Sequence, residues 1–263
     1  MVKKYLSRTY AFLVYLFLYM PIFLLILFSF NDSRYGGRWQ GFTFKWYTEL
    51  FSDGSIMESL YTTIIVAVIA SIISTVIGTV SAIAIHNMSP RRKAILTNLS
   101  YIPMVNPDIV IGISLLSFFS ILNLKLGYIT LILAHITFNI PYVIFAVLPK
   151  LQQLNPNIEE AALDLGATPI QAFFKVILPE IMPGIITGSL LAFTLSLDDF
   201  IVSFFTTGSG VSTLSIKVYS MTKRGISPKI NALSSLMFIA VLALMLLLQL
   251  RDAKNKSQSD NVR

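Results

Sequence analysis

Three carboxylates are the residues best placed to do chemistry in this 263-residue chain, because Asp108, Asp198 and Asp199 stand inside otherwise uncharged apolar stretches. An ionised Asp at the centre of a bilayer costs about 2.5–3.5 kcal/mol on insertion scales, so it faces a bundle interior or water. No Lys or Arg lies within those stretches to pair with it, and a cation passing through would supply the missing partner. Neighbouring residues on a helix point about 100° apart. One of Asp198 and Asp199 therefore faces such a path while the other bonds to its surroundings. The competing reading places all three acids in wet interface or in structural hydrogen bonds. Tyr219 and Lys223 form a second constellation, four residues apart on one helical face. The ring offers its face to an ammonium, and the pair reads as a gate against leak. Lys217, Lys223, Arg224 and Lys229 read alternatively as a docking patch for an acidic partner or as a solvated segment.

The elements that hold these residues follow from composition. Hydrophobic residues make up 55 % and charged residues 13 % of the chain, about half the usual charged share of a soluble domain. That excludes a soluble globular protein and a disordered one alike. The formal charge of +7 does not mark a nucleic-acid binder, since the basic residues cluster at the ends of apolar runs. Apolar stretches over about 9–31, 60–86, 94–122, 126–149, 182–206 and 230–250 each reach the roughly 20 residues that cross a bilayer as a helix. An all-α membrane domain of six spans over 1–250 is expected, with a polar tail at 251–263. The first stretch is too long for a signal-peptide core and is read as a retained helix. With both termini inside, inner segments hold 12 Lys and Arg against 8 outside, a bias in the expected direction. Pro107 and Asp108, following Pro103 and Asn106, read either as a kink or as a broken helix lining a polar cavity. Gly184, Gly188 and Ala192 form a small-residue stripe for close packing, within this chain or against a second subunit. Trp39, Trp46 and Tyr101 suit an interfacial belt. His135 is expected to be hydrogen-bonded, and His86 sits beside a basic turn.

The segment 150–180 between spans four and five is polar and reads as two short helices. Asn155 suits an N-cap, Pro156 a first turn, and Glu159 and Glu160 the positive helix end. Gly166 suits a left-handed stop. Thr168 to Gln171 reads as a capping box opening a second helix, with a further stop expected at Leu178-Pro179. Ala161 and Ala162 thin one side of the first helix, so a partner surface could approach its backbone.

This segment carries a resemblance. Glu160-Ala161-Ala162, then Gly166, then Val176-Ile177-Leu178-Pro179 is similar to the EAA motif of ABC importer permeases, with Val176 the one conservative departure. Asn31 to Arg34, Trp39 to Phe42, Pro107 to Val110, Ser196 to Phe200 and Lys217 to Met221 extend the likeness to the permeases of bacterial spermidine/putrescine importers. The resemblance implies a type I, MetI-like permease fold in the inner membrane, with cytoplasmic termini. It implies a coupling helix seated on a cytoplasmic ATPase through Glu159, Glu160, Ala161, Ala162, Asp164, Gly166, Leu178 and Pro179. The implied partners are a paralogous permease, an ATPase dimer and a periplasmic polyamine-binding protein, and the implied cargo is spermidine, putrescine or both. ATP and Mg belong to the ATPase, and none of the 13 glycines here is followed by Lys, as a Walker A loop requires.

Two rivals remain at this level. Related permeases carry other small solutes such as ferric ions or phosphonates; the buried acids argue against an anion. An autonomous channel or proton-coupled carrier would use the acids but not the coupling loop. An intramembrane enzyme lacks parts: the chain has two histidines, no cysteine and no metal-ligand cluster.

Overall fold

A computed structural model describes residues 2–33, 38–223 and 228–243. Arg34, Arg224, the end of the last apolar stretch (244–250) and the tail 251–263 lie outside the described residues. The protein is helical almost throughout: α1 Val2–Ser29, α2 Lys45–Ser52, α3 Gly54–His86, α4 Pro90–Val105, α5 Asp108–Ile121, α6 Tyr128–Gln153, α7 Ile158–Asp164, α8 Pro169–Ala172, α9 Leu178–Asp198, α10 Ile201–Thr206 and α11 Leu214–Lys223. A further apolar helix, α12, spans Pro228–Ala243. Among the described residues four helices are long and apolar enough to cross a membrane, and α4 with α5 makes a fifth if the bent pair is one span.

The chain divides into two compact units, Met1–Met57 with Val218–Arg263, and Glu58–Lys217. In the first, the most apolar stretch of α1 is uncovered by the rest of the chain. Beyond α1, Asn31 organises the connection to α2. Its Nδ2 donates to the Arg38 carbonyl at 2.8 Å, and its Oδ1 accepts the N–H groups of Ser33 and Gln40. Trp46 is turned into the protein. It is 5 % exposed, and its Nε1–H donates to the Asn31 carbonyl at 2.7 Å. Trp39 and Tyr101 are exposed.

The second unit is built on α6 against α9. The small-residue stripe is used here, within this chain. A Cβ at Gly184 would lie 2.9 Å from the Ala146 carbonyl oxygen, and one at Gly188 would lie 3.2 Å from Val143 Cα. The two helices approach backbone to backbone, which hydrogen side chains alone allow. Val143, Val147, Leu148, Leu151, Ile181 and Ala192 fill the resulting core. Asn139 bonds Ser196, His135 bonds Ser203, and Thr130 bonds the Thr206 carbonyl. As α6 descends in number its partners ascend, so the helices run antiparallel.

Candidate functional site

Each acid-bearing stretch is broken at its acid. Between α4 and α5 the chain bends by 104°. Pro107 brings no N–H to continue the helix, and its ring drives the preceding residue out of the α region; Asn106 is extended, with ψ 142°. Asp108 then opens α5, exposed and at the positive end of the helix dipole. Pro103, by contrast, is carried inside α4 without a break. Gly112, one turn into α5, lets this helix approach α10; a Cβ there would lie 2.8 Å from the Phe205 ring.

The second break separates α9 from α10, and it divides the two adjacent acids. Asp198 is the last residue of α9 and is exposed; its backbone carbonyl accepts Ser215 Oγ at 3.4 Å. Asp199 is extended, with ψ 128°, which turns its side chain back onto the start of α10. There it accepts the N–H groups of Val202 at 3.2 Å and Ser203 at 2.7 Å, the geometry of an N-terminal cap. His135 Nε2 stands 3.6 Å from Asp199 Oδ2, with the two side chains 1 % and 6 % exposed. No Lys or Arg of the apolar stretches faces it. The group facing Asp199 is a histidine from another span, whose position in the sequence carries no local signal.

Tyr219 and Lys223 meet on α11, with Lys223 Nζ 4.8 Å from the ring centroid. Lys229 is drawn the other way. It pairs with Asp53 at 3.2 Å and Glu49 at 3.8 Å, so part of the basic segment is neutralised within the chain. Burial pushes the Asp53 carboxyl up, but hydrogen bonds from Ser55 and Lys229 and the Lys229 charge outweigh it and hold the pKa below the ordinary 3.8.

The segment 150–180 folds as two helices joined by a tight stop. Asn155 does not cap α7. Its Oδ1 accepts the Asn157 N–H at 3.0 Å, making a turn that contains Pro156 and delays the helix to Ile158. Glu159 and Glu160 fall in the first turn. Gly166, at φ +86°, ends the helix with a Schellman pair: Ala167 N–H to the Ala162 carbonyl and Gly166 N–H to the Leu163 carbonyl. Thr168 and Gln171 bond reciprocally as a capping box.

The expected stop at Leu178-Pro179 is corrected. The helix continues through a π-turn, Phe173–Ile177, into α9. The Leu178 N–H reaches back five residues to the Phe173 carbonyl. This widened turn comes just where Pro179 has no N–H and where its ring would crowd an α-helical carbonyl.

Glu159, Glu160, Ala161, Asp164, Gly166 and Pro179 are exposed, Leu178 is half-buried and Ala162 is buried. Four apolar side chains that the motif alone does not single out stand out of the same surface: Leu165 at 90 % exposure, with Ile170, Phe174 and Leu163. Apolar residues beside a Gly stop were their only sequence signal. A cavity of about 360 Å³ is lined by His86, Asn155, Glu159 and Phe173 among others.

Long apolar helices, two of them broken at an acid, and an exposed helix–turn–helix suit a transport permease. The chain belongs to the family described as binding-protein-dependent transport system inner membrane component, whose pattern it matches over residues 74–253. It is 38 % identical over 255 residues to the spermidine/putrescine transport system permease protein PotC of Haemophilus influenzae, covering 97 % of this chain and 99 % of that one. It is 39 % identical over 234 residues to the putrescine transport system permease protein PotI of Escherichia coli, covering 86 % and 83 %. Among solved structures, a bacterial ABC transporter involved in import of the acidic polysaccharide alginate shares the fold. The TM-score is 0.76 at 16 % identity, covering 94 % of this chain and 95 % of that one. The protein is thus a multi-pass membrane permease with the fold of ABC importer subunits.

Proposed function

We propose that this chain forms one half of the translocation path of an ATP-driven polyamine importer in the bacterial inner membrane. The observation that carries the cargo assignment is the pair of helix breaks, each presenting an exposed carboxylate, Asp108 and Asp198, from a span without Lys or Arg. Polyamines carry several ammoniums and match such acids, and the named cargo of the relatives supports the same choice. Asp199 lends its charge to the break itself rather than to the cargo. Lys223 standing on Tyr219 is a tethered ammonium on the ring face that a passing amine would use, which makes the pair a gate.

In this account the chain crosses the membrane six times, over the stretches given above, with both termini cytoplasmic. A second, paralogous permease completes the path, and a periplasmic binding protein delivers cargo. A separate ATPase dimer binds ATP and Mg and seats α7 and its Gly166 turn. The exposed apolar set around Leu165 supports a docking surface. Because α6 leads into the loop and α9 leads out of it, displacement of the loop moves that tightly packed pair as one body. The motion then reaches the α9/α10 break.

A ferric-ion importer would present the same loop, and the cargo named for the relatives favours the polyamine reading over it. The test is uptake by the assembled importer carrying Asp198→Asn or Asp108→Asn. Polyamine uptake is expected to fall about tenfold or more, consistent with loss of a charge-assisted contact, while ATPase docking is unchanged. Undiminished uptake in both variants would refute the path.

A further inference from the structure

We infer that His135, Asp199 and Ser203 form a buried clamp that fixes the α9/α10 break and so aims Asp198, making His135 a positioning residue of the transport cycle. The inference deepens the reading above and rests on it for the role of Asp198.

Helix α10 has only six residues, Ile201–Thr206. A helix that short does not hold its own shape; its geometry is imposed from outside. Asp199 accepts the N–H groups of Val202 and Ser203, satisfying the donors that the break leaves open. Ser203 Oγ lies 3.0 Å from His135 Nε2, and Asp199 Oδ2 lies 3.6 Å from the same nitrogen. An ionised carboxylate only accepts, which favours the tautomer with the proton on Nε2. One ring nitrogen thus addresses both the capping acid and the first turn of α10.

Where these contacts lie on α6 also bears on their purpose. Toward the coupling loop, α6 and α9 pack through Gly184 and Gly188 with backbone approach and apolar side chains. Among the described residues the polar rungs occur from Ser196 onward, as Asn139–Ser196, His135–Ser203 and Thr130–Thr206. Side chains at these rungs are fully or almost fully buried. Two buried atoms on α6, His135 Nδ1 and Asn139 Oδ1, have no hydrogen-bond partner among the described residues. Groups so buried carry a desolvation cost that an apolar side chain would avoid. What the polar rungs add over apolar packing is direction. They fix the angle at which the chain leaves α9, and Asp198 is the residue at that corner.

The chain has no cysteine, so Asp198→Cys introduces a single thiol whose reaction rate with a cationic thiol reagent reports the corner without any cargo. The rate is measured in the assembled importer with His135 intact, with His135→Gln and with His135→Phe. Gln keeps a donor near the Nε2 position, whereas Phe keeps ring volume without one. The clamp predicts rates within about twofold for Gln and changed about fivefold or more for Phe. In the chain retaining Asp198, His135→Phe is expected to lower maximal uptake about tenfold at unchanged KM, with His135→Gln keeping most of it. Ser203→Ala provides a second route if the Phe variant does not assemble, and it is expected to shift the thiol rate in the same direction. A Phe variant, or a Ser203→Ala variant, with the parental thiol rate would overturn the clamp. So would a Gln variant as disturbed as Phe, since ring packing would then be the cause. If the parent importer does not take up polyamines, the cargo reading falls, yet the thiol rates still decide the clamp.

Discussion

Replacing Leu165 by alanine separates docking from folding, because this side chain has almost nothing to lose inside its own chain. It is 90 % exposed and occupies the C-cap position of α7, just before the Gly166 stop. Truncating an exposed side chain, with the backbone N–H bonds of the cap left in place, changes folding stability by less than about 0.5 kcal/mol. If an ATPase cleft covers the side chain, the transfer free energy available is nearly that of a whole Leu. Leu→Ala removes the equivalent of three methylene groups, which at roughly 0.8 kcal/mol each is about 2 kcal/mol. That corresponds to about thirtyfold weaker docking of this chain's loop. The assay is titration of the ATPase onto the permease pair in nanodiscs, read alongside thermal unfolding of the pair. The account predicts unchanged unfolding, docking weakened about thirtyfold and proportionate loss of ATP-driven transport. Docking within twofold of the parent would refute the idea that the apolar set around Leu165 is the seat. Leu151→Ala is the contrasting control. Leu151 is 3 % exposed in the core beneath, and its truncation should cost about 2–5 kcal/mol of stability.

Gly166→Ala isolates backbone conformation, since nothing lies within 4 Å of a Cβ there while φ is +86°. The strain of about 1–2 kcal/mol should appear as faster hydrogen exchange confined to 158–172, with the remaining helices unaffected. Gly184→Ala tests the close approach of α6 and α9, because its Cβ would lie 2.9 Å from a backbone oxygen. Overpacking should destabilise by about 1–3 kcal/mol and lower the midpoint of thermal unfolding. The Asp53–Lys229 pair should be pH-dependent. Asp53 has its folded pKa below 3.8, so its stabilisation is fully present above the unfolded value and is lost as pH falls through the folded one. Exchange protection of α2 should therefore hold from neutral pH to about 4 and decline below it, and Asp53→Asn should remove that dependence.

What could be read in advance divides along the range of the interactions. The helices α3 and α6 follow from unbroken apolar length, and the Gly166 stop and Thr168–Gln171 box follow from residues within four positions of one another. The break at Asp108 was one of two readings of the Asn106-Pro107 pair, since a proline inside a helix leaves either a kink or a stop. Pro103 and Pro107 took opposite outcomes although they stand only four positions apart. The π-turn before Pro179 escaped local reasoning because it resolves a proline clash by widening the helix instead of ending it. The partner of Asp199 was out of reach for a different reason. His135 and Ser203 are 68 positions apart, and only the antiparallel register of α6 with α9 and α10 brings them together. Trp46 likewise matched an interfacial anchor by type and position, and it was turned inward by a hydrogen bond to Asn31.

The most direct test of the central claim is uptake of labelled spermidine into liposomes containing this chain, its paired permease and the ATPase, with the binding protein outside. The account predicts accumulation that requires ATP and the ATPase, and that falls about tenfold or more with Asp198→Asn. Accumulation without ATP or without the ATPase would contradict it and make the chain a channel or carrier.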